Sequence, residues 1–250
     1  MRWKLYFQLA RISEDLSKRS GPEKALRDVL LLDLADATGW RAGSLSSVPV
    51  AAFSDEVIAL AQSSNEDHIW VTPALQKFGY QAAFKVPFPL AVRINRYCKD
   101  SRAELLRKLG KDESTANGFL FLSTRSATPL DHEYISRIVG SALTAIGVQQ
   151  RAGAHAVRRK FADDLTAEHH AVRKASGLST APEDVLRPVA DALGQQSLHS
   201  QESYQRVVMS DVEMSHEHKL RQELQKQGSE LAAKDHEIAR LRKLLVKSSS

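Results

Sequence analysis

The segment His155-Ala-Val-Arg158-Arg-Lys-Phe161-Ala162 begins a helical stretch of the chain. His155 and Arg158 are three positions apart, so on a helix both side chains project from one face. An imidazole and a guanidinium on one face can bind the same anionic group, which we interpret as a phosphodiester. The segment therefore favours a phosphate-bearing partner for this face.

Two further segments extend this pattern in both directions along the chain. Upstream, Arg41 follows Ala37-Thr38-Gly39-Trp40, and downstream Leu193-Gly194-Gln195-Gln196 precedes Tyr204 by nine positions, counted from Gln195. Two guanidinium groups, from Arg41 and Arg158, would stabilise the negative charge that develops on a pentacovalent phosphorus. A phenol such as Tyr204 becomes a useful nucleophile when nearby cations lower its pKa or a base removes its proton.

Several basic residues are candidates for contacts with a nucleic acid. Lys77 lies at a predicted turn, where a mobile lysine can deliver a proton to a departing alkoxide. Lys85, in the strand that follows, is the competing candidate for that role. Arg159 and Lys160 point to other faces than Arg158, and we interpret them as contacts to backbone phosphates or as solvated charges. Each of these residues is also compatible with a surface charge of no special function.

Composition limits the classes of function. The chain has 250 residues, a formal net charge of +5 and a sequence pI near 9.3, which favours an anionic partner without proving one. One cysteine, Cys98, rules out an internal disulfide, and the start lacks a signal peptide, so a cytoplasmic location is expected. The apolar run Val29–Ala37 is too short for a membrane span. His169 and His170 form no metal-ligand pattern with Cys98, so no metal is expected.

The order of predicted elements indicates a mainly α fold with a small antiparallel β-sheet, that is, an α+β fold. Helix signals cover Pro22 to Thr38, Pro89 to Leu109 and the stretch from Pro129 to Gly147. Alternating apolar residues predict two strands joined by a turn, at 69–71 and 84–86. Residues 119–121 fit either a short buried strand or an extended segment. Further helices follow to about Met209, with an interruption expected from Pro182 to Pro188.

The last forty residues differ in kind from the rest. Leu224, Leu231, Ile238 and Leu245 recur every seven positions, which is typical of a coiled coil. We therefore predict two parts, a domain over 1–210 and a C-terminal helix over 211–250. That helix is interpreted either as a self-associating or partner-binding coiled coil or as a long solvated helix.

Taken in order, these segments resemble the catalytic domain of the tyrosine recombinase (phage integrase) family over roughly residues 20 to 210. Ala37-Thr38-Gly39-Trp40-Arg41 is similar to the first arginine box, and Lys77 with Gly79 ahead of Val86-Pro87 is similar to the hairpin lysine. The segment from His155 to Ala162 is similar to the second arginine box. Leu193-Gly194-Gln195 and Tyr204 match the last box and its nucleophile in spacing.

The resemblance implies a type IB mechanism on double-stranded DNA, with no cofactor. It assigns Tyr204 the attack on a backbone phosphate, which gives a 3′-phosphotyrosyl link and a free 5′-hydroxyl. It assigns the nonbridging oxygens to Arg41, Arg158, His155 and Gln195, and protonation of the leaving 5′-oxygen to Lys77. It also implies assembly as a homo-oligomer on DNA.

The chain departs from the family pattern at three points. Gln195 stands where the family usually has histidine or tryptophan, and Ser44 where it often has glutamate. An amide donates a hydrogen bond but cannot transfer a proton as imidazole does, so reduced activity is expected. About 40 residues precede Arg41, so the helical core-binding domain is expected to be absent. Two alternatives follow: a catalytically silent DNA-binding regulator that assembles through its C-terminal helix, and a scaffold unrelated to DNA.

Overall fold

The computed structural model describes residues 21–79, 81–147 and 153–195, all within one compact unit. Helix α1 spans Pro22–Thr38, with the proline in the first turn and Gly39 ending it. Gly39 has φ 61°, and its N–H donates to the carbonyl of Ala35 at 2.9 Å. Both ends agree with the predicted helix, because proline suits a helix start and glycine a left-handed helix end.

The residues after α1 form short helices that lead into the sheet. Arg41 is the N-cap of α2 (Ala42–Ser46), which is followed by a 3₁₀ turn at Val50–Phe53. Helix α3 spans Asp55–Ser63 and is capped by Ser54, whose hydroxyl accepts from the N–H of Val57. These elements carry the chain from Arg41 to the first strand.

Two antiparallel strands, β1 (His68–Val71) and β2 (Phe84–Pro87), form the sheet. Their inward side chains are buried and their outward side chains, such as Trp70 opposite Lys85, are exposed. A 3₁₀ turn at Lys77–Gly79 lies in the connection. The predicted strand–turn–strand arrangement is confirmed.

The helical stretch predicted from Pro89 to Leu109 is three consecutive helical pieces. Helix α4 (Phe88–Tyr97) continues through a π-helical segment (Cys98–Arg102) into α5 (Ala103–Lys108), and α6 (Glu113–Ala116) follows. The buried Arg102 donates to both carboxylate oxygens of Glu113 and to the carbonyl of Phe119. Residues 119–122 are extended and make isolated bridges, Pro49 with Phe119 and Leu122 with Pro129, so the extended interpretation is correct.

The second half of the domain consists of α7 (His132–Ala145), α8 (Ala154–Ala175) and α9 (Pro182–Ala192). The interruption predicted from Pro182 to Pro188 is wrong, because Pro182 starts α9 and Pro188 lies inside it. Proline in a helix interior removes one backbone hydrogen bond. Burial of one apolar face offsets that cost, and this face consists of Val185, Leu186, Val189 and Ala190.

The core joins α1 to the sheet, α4, α7 and the start of α8. Helix α1 packs on α8, and α8 on α9, which places the ends of these helices close together. The fold is mostly helical with a small antiparallel sheet, as predicted. Within the described ranges, every helix is too short or too polar to span a membrane. The boundary at 210 and the heptad positions from Leu224 to Leu245 lie outside the described residues.

Candidate active site

The first arginine segment meets α8 through a contact that requires glycine. A Cβ atom added to Gly39 would lie 2.5 Å from Cδ1 of Phe161, far inside normal contact distance. The positive φ of Gly39 also disfavours any side chain. The backbone that leads to Arg41 therefore lies directly against the ring of Phe161.

Arg158 connects the ends of two helices. Its side chain is buried; Nη1 donates to the carbonyl of Gly39 at 2.9 Å and Nη2 to the carbonyl of Leu193 at 3.0 Å. Carbonyls at helix C-termini carry partial negative charge, which suits a guanidinium. The sequence predicted Arg158 as a phosphate ligand, and the structure adds that the same residue joins the ends of α1 and α9. Sequence reasoning missed this second role because both acceptors are backbone atoms.

The Leu-Gly-Gln segment is the end of α9. Gly194 has φ 60°, its N–H donates to the carbonyl of Asp191 at 3.0 Å, and the N–H of Gln195 donates to that of Ala190 at 2.8 Å. This pair of bonds is a Schellman motif, in which glycine terminates the helix. A Cβ on Gly194 would approach Cζ of Phe84 to 3.1 Å. The glycine therefore lets β2 pack against the backbone next to Gln195.

An aromatic pair joins the first segment to the hairpin. The rings of Trp40 and Phe84 meet edge to face with centroids 5.6 Å apart, and both residues are buried. Nε1 of Trp40 is buried and has no hydrogen-bond partner among the described residues. Trp40, Phe84 and Gly194 thus bring three segments that are distant in sequence to one place.

Lys77 is exposed in the connection between β1 and β2. The side chain of the preceding Gln76 orders this connection: Nε2 donates to the carbonyls of Ala82 at 2.8 Å and Pro73 at 3.3 Å, and Oε1 accepts from the N–H of Ala82 at 3.1 Å. Ala82 also lies near Gly194. The connection that carries Lys77 is therefore held next to the end of α9. Sequence reasoning missed Gln76, since a glutamine in a turn has no distinguishing pattern.

His155 is exposed near the start of α8, and its pKa reflects three neighbouring cations. Partial desolvation lowers the pKa of His155 below its ordinary value of 6.5, and Arg159, Arg158 and Arg41 lower it further. A neutral imidazole near neutral pH has one nitrogen that accepts a proton. Arg158 follows His155 by three residues on α8 and bonds the carbonyl of Gly39, two residues before Arg41.

The residues predicted as DNA contacts occupy different surroundings. Nζ of Lys160 lies 2.6 Å from Oδ2 of Asp164 and 3.4 Å from Oδ1 of Asp36. Nζ of Lys85 lies 5.4 Å from the ring centroid of the exposed Trp70, a cation–π distance. Arg159 is half-buried. Their roles in DNA binding stay predictions.

Two predictions concern residues at the margin of the described structure. Tyr204 lies outside the described residues, whereas Gln195 is the last residue of the described range 153–195 and is half-buried.

For metal binding, ligand atoms of Glu66, Asp67 and His68 lie within 4.8 Å of one another. The two carboxylates are exposed and His68 is half-buried, and surface carboxylates often lie this close without an ion.

Comparison with solved structures gives an independent view of the fold. The crystal structure of the XerH site-specific recombinase bound to palindromic difH substrate, a post-cleavage complex, superposes with a TM-score of 0.55 at 20% identity, covering 82% of this chain and 50% of that chain. The XerA recombinase superposes with a TM-score of 0.52 at 17% identity, covering 84% and 61%. No family model matches the sequence, and neither does any curated protein.

These similarities define the fold as that of the tyrosine recombinase catalytic domain, as the sequence resemblance predicted. The chain spans about half of the XerH chain that it matches.

Proposed function

We propose that this protein cleaves and rejoins DNA strands at specific sites through a 3′-phosphotyrosyl intermediate. The observation that carries the proposal is that Arg158 bonds the backbone at Gly39, two residues before Arg41, and at Leu193, two residues before Gln195, while His155 precedes Arg158 by three residues on α8. Arg41 is distant in sequence from His155 and Arg158, and the three residues are of the types that phosphoryl transfer needs.

The proposed chemistry begins with in-line attack. The oxygen of Tyr204 bonds to the phosphorus while the bond to the 5′-oxygen breaks, and the phenol proton passes to the neutral imidazole of His155. Lys77 protonates the leaving 5′-oxygen. A 5′-hydroxyl from a second strand then reverses these steps, so no cofactor is needed.

Arg41 and Arg158 supply the positive charge in this scheme. The guanidinium of Arg158 is fixed by its bonds to Gly39 and Leu193, so its charge is already oriented before the substrate binds. Preorganised charge of this kind lowers the barrier because nothing has to reorient during the reaction. Gln195 contributes an amide hydrogen bond to a nonbridging oxygen.

The partner in this proposal is double-stranded DNA, with several copies of the chain assembled on it in the cytoplasm. Arg159, Lys160 and Lys85 contact backbone phosphates outside the reacting centre. The heptads over 211–250 mediate contacts between copies or with a coiled-coil partner. Whether the product is integration or another recombination product depends on the target sites.

A catalytically silent DNA-binding regulator is the second candidate function. Gln195 favours it, because an amide at this position cannot move a proton. The regulator would use the same arginines for phosphate affinity alone.

A nicked suicide substrate separates the two functions. The full chain is incubated with DNA whose cleavage traps the intermediate, and a protein–DNA adduct that survives denaturation is measured by electrophoresis. The recombinase proposal requires an adduct that disappears in Tyr204→Phe and persists in Tyr97→Phe, a control at a described tyrosine on α4. Salt-dependent binding without an adduct supports the regulator. Absence of both adduct and binding rejects DNA as the partner.

A further inference from the structure

A cavity of about 360 Å³ lies between the first half of α1 and the loop that precedes α7. The residues that matter for its chemistry are cations and hydroxyl groups: Lys24, Arg27, Ser123, Thr124, Arg125 and Tyr134. Arg27 is twelve residues before Gly39 on the same helix, about 18 Å along its axis at 1.5 Å per residue. The cavity is therefore separate from the candidate active site.

Arg27 provides a fixed guanidinium in the wall of the cavity. The residue is only 1% exposed; Nε and Nη2 donate to Oδ1 of Asp28 at 2.8 and 2.6 Å, and Nη1 donates to the carbonyl of Leu122 at 2.7 Å. The guanidinium also lies over the ring of Tyr134, 5.9 Å from its centroid. These contacts hold its orientation before any ligand arrives.

The balance of charge at the cavity is positive. Lys24, Arg27 and Arg125 face two carboxylates, Asp28 and Asp131. Asp28 is already paired with Arg27, and Asp131 accepts from the N–H of Tyr134 at the start of α7. Lys24 and Arg125 thus add positive charge beside hydroxyl donors.

The loop in the cavity wall holds an unfavourable backbone conformation. Ala127 is buried at φ 58°, and its N–H donates to the carbonyl of Ser123 at 2.9 Å. A residue other than glycine in this region costs roughly 1–3 kcal/mol, and such residues cluster at ligand-binding sites. The hydroxyls of Ser126 and Thr128 also bond to each other at 2.8 Å.

We propose that this cavity binds a phosphate group, either that of a small phosphorylated molecule or a backbone phosphate of DNA. Lys24, Arg125 and the hydroxyl groups around the cavity are the donors that match the oxygens of a phosphate, because the donors of Arg27 already bond Asp28 and Leu122. The proposal does not depend on strand cleavage, because no residue of the cavity belongs to the candidate active site.

The test compares two double variants of the full chain that remove equal charge. Lys24→Ser/Arg125→Ser removes the mobile cations of the cavity, and Lys111→Ser/Arg96→Ser removes two exposed cations elsewhere. Thermal unfolding is followed as inorganic phosphate is added, against sodium chloride of equal ionic strength. Binding of a duplex DNA is measured over a range of salt concentrations.

Two results support the proposal, and they identify the source of the phosphate. If phosphate raises Tm in the native chain and the control but not in the cavity variant, and both variants bind duplex DNA with the same salt dependence, the ligand is a small phosphorylated molecule. If instead the slope of log K for DNA binding against log[salt] is less negative by about 1 in the cavity variant than in the control, the ligand is a backbone phosphate. Equal behaviour of both variants in both assays overturns the proposal. If the native chain forms no adduct that depends on Tyr204, the proposed function fails, but both of these assays still test the cavity because neither requires strand cleavage.

Discussion

Nη1 of Arg158 donates a 2.9 Å hydrogen bond to the carbonyl of Gly39, which joins residues 119 positions apart. Because Nη2 also holds Leu193, one buried guanidinium supports both the fold and the proposed chemistry. Under the proposed function, a change at Arg158 would lower activity through two causes, reduced stability and loss of a catalytic charge, and denaturation measures the first alone.

Replacing Arg158 with methionine is expected to lower the free energy of unfolding by about 3 kcal/mol, since two buried carbonyls lose charged donors. Chemical denaturation measures this change. Arg159→Met is the matched control, because the neighbouring arginine has no such role, and its effect should stay within about 0.5 kcal/mol. Equal effects of the two substitutions would contradict the structural role of Arg158.

Gly39→Ala is expected to destabilise the protein by about 2–4 kcal/mol, because it combines a left-handed backbone with a forced displacement of Phe161. Gly43→Ala, on α2, has open space around the added Cβ and should be neutral or slightly stabilising. Denaturant midpoints with unchanged m-values report both effects. A tolerated alanine at Gly39 would show that α1 and α8 are not packed through this contact.

The imidazole of His155 is expected to titrate below 6.5 in NMR spectra recorded over a range of pH. Arg41→Gln should raise this pKa by removing one cation, while Arg173→Gln, near the end of α8, should not change it. The unfolded chain binds the proton more tightly, so the contribution of His155 to stability is complete above 6.5 and is lost as pH falls through the folded pKa. An unchanged pKa in Arg41→Gln would place Arg41 away from His155.

Lys160→Met is expected to destabilise the protein more near neutral pH than in acid. Burial raises the pKa of Asp36 above its ordinary value of 3.8, and Lys160 opposes that rise. A raised pKa gives stability that is complete below 3.8 and is lost as pH rises through the folded pKa, so removing the cation enlarges the loss. Asp36→Asn added to Lys160→Met should restore stability, and Asp164→Asn alone should change little. A loss independent of pH would contradict this account.

Gln76→Ala is expected to speed hydrogen exchange at the N–H of Ala82, because that N–H loses its acceptor. Under the proposed function, it should also lower the yield of adduct while Lys77 is still present. Gln81→Ala, an exposed glutamine in the same connection, serves as the control. Unchanged exchange would mean that Gln76 does not order the connection.

Local signals in the sequence predicted much of this fold. Pro22 and Gly39 bound α1, since proline and glycine act on the backbone where they stand. Alternating apolar residues predicted the hairpin for a similar reason. The same rule failed at Pro188, because burial of the apolar face of α9 outweighs the local cost of proline.

The candidate site was predictable by residue type but not by geometry. The sequence predicts Arg41, His155 and Arg158 from their chemistry, their spacing and the family resemblance, and the structure shows Arg158 bonded to the backbone two residues before Arg41. The bonds of Arg158 to Gly39 and Leu193 and the packing of Phe84 on Gly194 depend on tertiary contacts that spacing does not encode. Gln76 was missed for a different reason, because a glutamine in a turn has no distinguishing pattern even though its bonds to Pro73 and Ala82 are local.

The two described tryptophans differ in surroundings: Trp40 is buried against Phe84, whereas Trp70 is 60% exposed on the hairpin. Acrylamide therefore quenches the fluorescence of Trp70 first and leaves the emission of Trp40 largely intact. Of these two rings, the one that gives a blue-shifted, quencher-resistant signal is Trp40, adjacent to Arg41. Changes in that emission on adding DNA would report rearrangement beside the candidate active site without an attached dye.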